Sequence, residues 1–147
     1  MVRTKIRAKH APFCVLELTL SMEVAIYEKE LVYKINGAVF EVYRQLGCGL
    51  LENVYQRALM YELSLQGLSV KSESSLIVYY KNYEVGEFKA DLIVEDKILL
   101  ELKAQSNLHK SSEAQVINYL KITGLKLGLL INFSWPKATV KRIVHNQ

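Results

Sequence analysis

The chain has 147 residues, of which 50% are hydrophobic and 23% are charged, a balance typical of one globular domain with a sizeable core. This composition excludes a disordered chain, and no apolar run is long and uncharged enough to cross a bilayer. The net charge of +4 comes mainly from residues 1–21, which carry four basic residues and one acid. It therefore does not by itself indicate a nucleic-acid-binding surface.

The basic segment 1–21 is predicted to be a flexible extension, and residues 22–147 are predicted to be the folded domain. A secretory signal begins in a similar way, but Glu17 interrupts the apolar run and no small-residue cleavage site is clear. Cys14 and Cys48 form neither a disulfide framework nor a metal-ligand cluster, which indicates a reducing, cytoplasmic setting.

Two amphipathic helices are predicted at the start of the domain. Apolar residues recur at helical spacing over residues 23–46, and Gly47-Cys48-Gly49 ends this helix. A second helix is predicted from Leu51 to Gln66. Its apolar stripe consists of Leu51, Val54, Tyr55, Ala58 and Leu59.

Strands rich in β-branched and aromatic residues follow the helices. Lys81-Asn82 supplies a turn between two of them, and Gly86 is a candidate β-bulge. The predicted strands are residues 69–72, 76–80, 83–94 and 98–104.

A third helix is predicted after a polar loop over residues 105–110. Ser112 and Gln115 fit a capping box that opens this helix, and Gly124 ends it after Thr123. Strands over residues 126–133 and 139–145 complete the chain on either side of Pro136. The order of helices and strands predicts helices packed against a β-sheet.

Asp91, Glu101 and Lys103 lie in the run KADLIVEDKILLELKA. Strand alternation places Glu101 and Lys103 on one face, and a turn centred on Asp96 places Asp91 opposite Glu101. Two facing carboxylates are unfavourable unless they are neutralised. A divalent cation neutralises them and activates water for attack on a phosphodiester. An ordinary solvated face is an equal alternative from these residues alone. The other face of the hairpin consists of Leu92, Val94, Leu100 and Leu102.

Three further residues are candidates for the same site. Gln115 and Tyr119 are four residues apart, so they share one face of the third helix, although a tyrosine between helix and sheet more often only packs. Glu52 opens the second helix. It is either a first-turn acid favoured by the helix dipole or another metal ligand.

These residues together resemble a known pattern. The run GLLENVY over residues 49–55 resembles the GxxExxY family. The ordered D…ExK and QxxxY elements resemble the PD-(D/E)XK nuclease superfamily, in particular its RecB-like and Cas4-like branch. The likeness runs from about Tyr27 to His145. It implies an α/β, restriction-endonuclease-like core, α-β-β-β-α-β with an extra C-terminal strand, in which helices flank a central mixed β-sheet.

The resemblance also implies a site for Mg²⁺ or Mn²⁺. Asp91 would be the central metal ligand, Glu101 the second, and Glu52 a further carboxylate from the helical layer. Gly49 and Tyr55 would be structural, the first in the turn before the helix and the second in packing.

The other residues would act on the substrate. Lys103 would stabilise developing phosphate charge or position the attacking water, and Gln115 and Tyr119 would arrange the substrate phosphate or a water on the ion. Ser112 stands where the family often has a histidine, so any contribution of that histidine is absent.

The leading interpretation is a metal-dependent nuclease with a nucleic-acid partner, DNA rather than RNA, because the superfamily mostly cuts DNA. One alternative is a catalytically inactive nucleic-acid-binding or protein-interaction module on the same scaffold. Another is a homo-oligomeric structural protein whose long first helix supplies an interface. No membrane partner is expected.

Overall fold

The structure is a computed structural model that describes the backbone of residues 7–146, and the side chains from residue 19 onward except Val24 and Tyr27. The chain divides into two compact units, Met1–Tyr33 and Lys34–Gln147. The second unit contains the end of α1 and all later elements of the described chain. The elements are α1 (Arg7–Leu46), α2 (Glu52–Leu65), β1 (Val70–Tyr80), β2 (Tyr83–Val94), β3 (Ile98–Lys103), α3 (Lys110–Thr123), β4 (Leu127–Phe133) and β5 (Ala138–Val144).

Helix α1 ends at Leu46 as predicted, but it begins at Arg7 instead of residue 23. The amphipathic pattern used for the prediction starts only after Met22. Residues 7–22 contain no glycine and several good helix formers, and the helix runs through them without that pattern despite Pro12, a residue that disfavours a helix interior. At the other end, the Gly47 N–H donates to the Tyr43 carbonyl at 2.8 Å, and Gly47 takes a φ of 67°. The proposed division at residue 21 stays a prediction, since residues 1–6 and the side chains of residues 7–18 lie outside the described part of the chain.

Helix α2 is one residue shorter at each end than the predicted range from Leu51 to Gln66, and it has a different buried stripe. Tyr55, Leu59 and Leu63 are buried at successive four-residue spacings, whereas Leu51 and Val54, predicted to be buried, are 75% and 39% exposed. Leu51 precedes the first helical residue in an extended conformation, so helical spacing does not apply to it.

The β1–β2 hairpin joins two predicted strands into one, because residues 69–72 and 76–80 fall in or beside the continuous β1. Lys81 and Asn82 both take positive φ values, as the central residues of a tight hairpin turn do, which confirms the predicted turn. The pairing register shifts so that Val78 pairs with Gly86 but Tyr79 pairs with Glu84. Val85 is therefore the extra residue of the bulge, one position from the predicted bulge at Gly86.

The β2–β3 hairpin has the predicted register. Leu92 pairs with Leu100 and Val94 with Ile98, which centres the turn on Asp96. Continued by one step, this register brings Asp91 opposite Glu101.

Strands β3 and β4 are parallel, while the other three pairs of neighbouring strands are antiparallel. The strand order is β1-β2-β3-β4-β5 in one sheet. This mixed sheet with flanking helices confirms the predicted α/β, restriction-endonuclease-like architecture, and β5 is the extra C-terminal strand.

Helix α3 begins three residues earlier than a capping box with Ser112 at the N-cap requires. His109 occupies the N-cap position without a side-chain hydrogen bond, and Ser112 is buried within the first turn. The capping-box prediction is therefore wrong, because the spacing of Ser112 and Gln115 matches by chance and Gln115 has other partners. Gly124 ends the helix as predicted, with a φ of 73°.

The two faces of the sheet carry different helices. On one face, Leu99 and Leu130 pack in a cluster with Val116 and Leu120 of α3. On the other, the Tyr55 ring of α2 stacks on Phe133 with centroids 4.3 Å apart. The predicted second face of the β2–β3 hairpin is buried at Leu92, Val94, Leu100 and Leu102. No helix within the described residues is long and apolar enough to span a membrane.

Candidate active site

Glu101 and Lys103 form an ion pair at the boundary of the sheet and α3. Alternation along β3 places both side chains on the α3 face of the sheet. The Lys103 Nζ lies 2.8 Å from Glu101 Oε1, and the two side chains are only 14% and 4% exposed. A carboxylate is seldom so deeply buried unless it is paired or holds a metal ion.

Asp91 is held from two sides. Its Oδ2 accepts the Leu102 N–H at 2.7 Å, which connects it to the neighbouring strand β3. Its own carbonyl accepts from Gln56 Nε2 at 3.0 Å, which connects β2 to helix α2. Both bonds fix the position of the Asp91 carboxylate at the point where β2 approaches β3.

The pKa values of the two carboxyl groups are raised. Burial is the main cause for Glu101, whose pKa rises from 4.5 to about 7, and the charges of Asp91 and Glu52 add to it against the opposing Lys103. Burial also raises the pKa of Asp91, although the Leu102 N–H and Lys103 oppose the change. Burial lowers the pKa of Lys103, but the hydrogen bond to Glu101 and the nearby carboxylates outweigh it and raise the pKa overall. The site is thus crowded with negative charge relative to its single ammonium.

Glu52 is the first residue of α2 and is exposed. Its charge raises the pKa of both Asp91 and Glu101. The chain thus brings Glu52 close enough for electrostatic interaction, although no hydrogen bond joins it to the other site residues among the described contacts. Its first-turn position also agrees with a favourable interaction with the helix dipole.

Gln115 and Tyr119 extend the site into α3. Lys103 Nζ donates to Gln115 Oε1 at 3.2 Å, and Gln115 Nε2 donates to the Tyr119 hydroxyl at 2.8 Å. Tyr119 is 5% exposed and belongs to the buried cluster under α3. Gln115 therefore contacts Lys103 directly, and Tyr119 is linked to Lys103 through Gln115. Tyr119 both packs in the core and forms a hydrogen bond.

Tyr55 positions the start of α2. Its hydroxyl donates to the Gly47 carbonyl at 2.8 Å and accepts the Leu50 N–H at 3.2 Å. Since its ring also stacks on Phe133, Tyr55 ties the Gly-Cys-Gly turn to the sheet. The position of this turn determines where Glu52 lies at the start of α2.

The carboxylates of β2 and β3 fit a hard divalent cation. Glu101 Oε2 is buried without a hydrogen-bond partner, and carboxylate oxygens are the preferred ligands of Mg²⁺ and Mn²⁺. Among the side chains that the structure describes, no three His, Cys, Asp or Glu residues stand together as a complete ligand group. The structure thus brings Asp91 and Glu101 together around Lys103, while Glu52 is related to them through its charge.

Sequence reasoning missed two residues beside Asp91. Gln56, which holds the Asp91 carbonyl, follows Tyr55 in the chain but belongs to no recognisable pattern. Glu73 lies between Ser72 and Ser74, which pair with Leu92 and Ala90, so it faces Asp91 across the β1–β2 ladder. Glu73 has a φ of 48°, and its charge raises the pKa of Asp91. Gln56 and Glu73 also line a cavity of about 220 Å³ together with Arg57, Met60 and Ser72.

A third missed residue fixes the loop after β3. The buried Asn132 donates from Nδ2 to the Gln105 carbonyl at 2.8 Å and accepts the Gln105 N–H at Oδ1 at 3.0 Å. The only available signal was a single amide within the apolar strand LGLLINF. This pair of bonds holds the chain immediately beyond Lys103.

Comparison with known proteins agrees with this geometry. Residues 29–143 match the sequence profile of the PD-(D/E)XK nuclease superfamily, and the chain belongs to that superfamily. The comparison with curated proteins finds no match.

A solved structure has the same fold. The crystal structure of SSO0001 superposes with a TM-score of 0.52 at 16% sequence identity, covering 65% of this chain and 51% of that protein. The chain thus spans about half the length of SSO0001, and the likeness is one of fold.

Proposed function

We propose that the protein is a metal-dependent nuclease that hydrolyses phosphodiester bonds, in DNA rather than RNA. The observation that carries the proposal is the buried Glu101–Lys103 pair beside Asp91, in which Glu101 Oε2 has no partner. Membership of a nuclease superfamily supports the same reaction class. A finer assignment to the GxxExxY family and the RecB-like, Cas4-like branch is part of the proposal and rests on the run over residues 49–55.

Asp91 and Glu101 would hold a Mg²⁺ or Mn²⁺ ion, with Glu52 as a further carboxylate. When bound, such an ion neutralises phosphate charge and lowers the pKa of water. The unpartnered oxygen of Glu101 is the observation that supports this ligand set.

Lys103 would place its ammonium next to the negative charge that develops on the phosphate. Its hydrogen bonds to Glu101 and Gln115 fix the direction of the ammonium, so little reorganisation is needed during reaction. Gln115 and Tyr119 would orient the substrate phosphate or the attacking water from α3.

Calorimetric titration with Mn²⁺ tests the ligand set. We expect wild-type protein to bind Mn²⁺ and Asp91→Ala to lose that binding, because one of two adjacent carboxylates is removed. Asp96→Ala is the matched control. This change removes an acidic side chain from the same hairpin. The Asp96 side chain is 67% exposed and forms an ion pair with Lys71. Equal Mn²⁺ binding by wild type and Asp91→Ala would show that the proposed site is wrong.

Cleavage assays test the reaction itself. A panel of single-stranded, double-stranded and branched DNA and RNA, incubated with Mg²⁺ or Mn²⁺, should yield cleavage by wild type and none by Asp91→Ala. Binding of nucleic acid without cleavage or metal binding would support an inactive binding module on the nuclease scaffold instead.

A further inference from the structure

The β1–β2 hairpin extends well beyond the rest of the sheet. Strand β2 pairs with β3 only from Leu92 to Val94, whereas β1 and β2 pair out to Tyr80 and Tyr83. In the outer part of the hairpin, each strand has only the other as a partner in the sheet. A two-stranded ribbon of this kind contributes little to the core, so its side chains are available for contacts with other molecules.

One face of this ribbon carries aromatic rings. Tyr80 and Tyr83 are a cross-strand pair, as are Leu76 and Phe88. Since Leu76 and Tyr80 are four residues apart on one strand, both pairs lie on the same face. Leu76 belongs to the buried cluster that contains Tyr119, so this is the face that continues from α3. Tyr80, Tyr83 and Phe88, named here the aromatic arm, are 63%, 74% and 38% exposed.

The aromatic arm begins at the candidate active site. The Phe88 ring lies 6.0 Å from the Tyr119 ring, centroid to centroid. Tyr119 accepts a hydrogen bond from Gln115, which in turn binds Lys103. A series of contacts therefore leads from the ammonium proposed to meet the phosphate to Phe88, the residue of the aromatic arm nearest the candidate site. Tyr80 and Tyr83 lie farther along the same face of the hairpin.

We propose that the aromatic arm stacks on unpaired bases of a nucleic-acid strand whose phosphodiester lies at the candidate site. Every base has an aromatic face, and rings on a groove wall bind single strands by stacking on it. A duplex keeps these faces inside its own stack and does not present them. Lys81 supports the assignment, because its Nζ lies 5.6 Å from the Tyr80 ring centroid at the tip of the arm, where it brings positive charge to the strand backbone. The proposal rests on the proposed nuclease function, and it names a substrate with a single-stranded segment.

The hairpin provides a matched control. Tyr79 is 61% exposed and pairs with Glu84, so it lies on the opposite face of the same ribbon. The test variant is Tyr80→Ser combined with Tyr83→Ser, and the control is Tyr79→Ser. Thermal melting of each variant verifies that the fold is retained.

Fluorescence anisotropy in EDTA, with gels to verify that the probe stays intact, measures binding of a labelled single-stranded DNA, the same sequence as RNA, and the matching DNA duplex. We expect the double variant to bind single-stranded DNA at least roughly thirtyfold more weakly, from the loss of two stacking rings, and to bind the duplex as wild type does. Tyr79→Ser should bind all three probes as wild type does. The measurement with the RNA probe tells whether the tyrosines stack on both polymers.

Three outcomes would overturn the proposal: unchanged single-strand binding in the double variant, an equal loss in Tyr79→Ser, or an equal loss for the duplex. A wild-type dimer in light scattering that the double variant dissociates would assign the arm to a second copy of the chain instead. Selective single-strand binding without any cleavage would contradict only the nuclease function. Cleavage with binding independent of the tyrosines would contradict only the aromatic arm.

Discussion

At the scale of single residues, Glu101 has the most unusual environment in the described chain. It is 3% exposed. Its Oε1 accepts a hydrogen bond from Lys103, and its Oε2 is buried without a hydrogen-bond partner. A buried carboxyl group in this position is stabilised in the folded protein when it binds a proton or a cation. Stability and metal binding therefore depend on the same group.

The stability of the metal-free protein should fall as the pH rises from 4.5 to about 7, since these are the ordinary and the folded pKa values of Glu101. Between them, the folded protein binds a proton that the unfolded chain has released, and this stabilisation is lost as Glu101 ionises. The shift corresponds to about 3 kcal/mol of the free energy of unfolding. Asp91, whose pKa is also raised, acts in the same direction.

Thermal melting in EDTA at about pH 5 and about pH 8 checks this expectation. The Tm of wild type should drop more than that of Glu101→Gln, which has no proton to lose. Glu41 does not interfere, because hydrogen bonds from Arg44 and Gln45 lower its pKa to about 2, so its contribution is lost only in stronger acid. A Tm of wild type that rises over this range relative to Glu101→Gln would contradict the assignment.

Lys103→Met should abolish most cleavage while leaving the fold in place. The unbranched stem is retained, and Glu101 can remain buried by taking up a proton once the ammonium is gone. Loss of a fixed positive charge at the reacting phosphate should lower kcat about 10²- to 10³-fold. Lys121→Met is the control, since Lys121 is an exposed lysine near the end of α3. Unchanged cleavage in Lys103→Met would remove this residue from the mechanism.

At the scale of elements, the close approach of α3 to β4 sets the place of Gln115 and Tyr119. Gly128 makes this approach possible. A Cβ at that position would lie 2.6 Å from Val116 Cγ1 and 3.5 Å from two methyls of Leu120. The valine side chain is stiff at χ1, so α3 would have to move away from the sheet.

Gly128→Ala should therefore destabilise the protein by about 1–3 kcal/mol through overpacking. Gly37→Ala is the matched control, because nothing lies within 4 Å of a Cβ at Gly37 and alanine is favoured over glycine in a helix by about 1 kcal/mol. Urea denaturation of both variants should show opposite changes in the free energy of unfolding. Equal stability of Gly128→Ala and wild type would indicate that α3 is not held against β4 as described.

At the scale of the whole molecule, the folded domain is proposed to begin at residue 22. A homo-oligomer and a cytoplasmic location stay separate predictions. Deleting residues 1–21 should leave a cooperative thermal transition, because the described buried cluster under α3 lies between Leu76 and Ile143. Calorimetry of the truncated and full-length chains measures this. Loss of the cooperative transition would show that the segment belongs to the core.

The sequence alone determined the order of elements, the β2–β3 register and the superfamily. Periodicity and turn residues are local signals, and the equal distance of Asp91 and Glu101 from Asp96 fixed their pairing once the turn was located. Local signals failed where a feature depended on what a residue packs against. Leu51 proved exposed and Ser112 proved buried, although their spacing predicted an apolar stripe and a capping box.

Only the tertiary structure decided which distant groups meet. Helix α2 brings Gln56 to the Asp91 carbonyl, β1 brings Glu73 opposite Asp91, and α3 carries Tyr119 to the base of the aromatic arm. Burial, and with it the raised pKa of Glu101, also arises only when α3 covers the sheet. Local sequence patterns describe neighbours along the chain, whereas the dielectric environment and contacts of a side chain are set by segments far away in sequence.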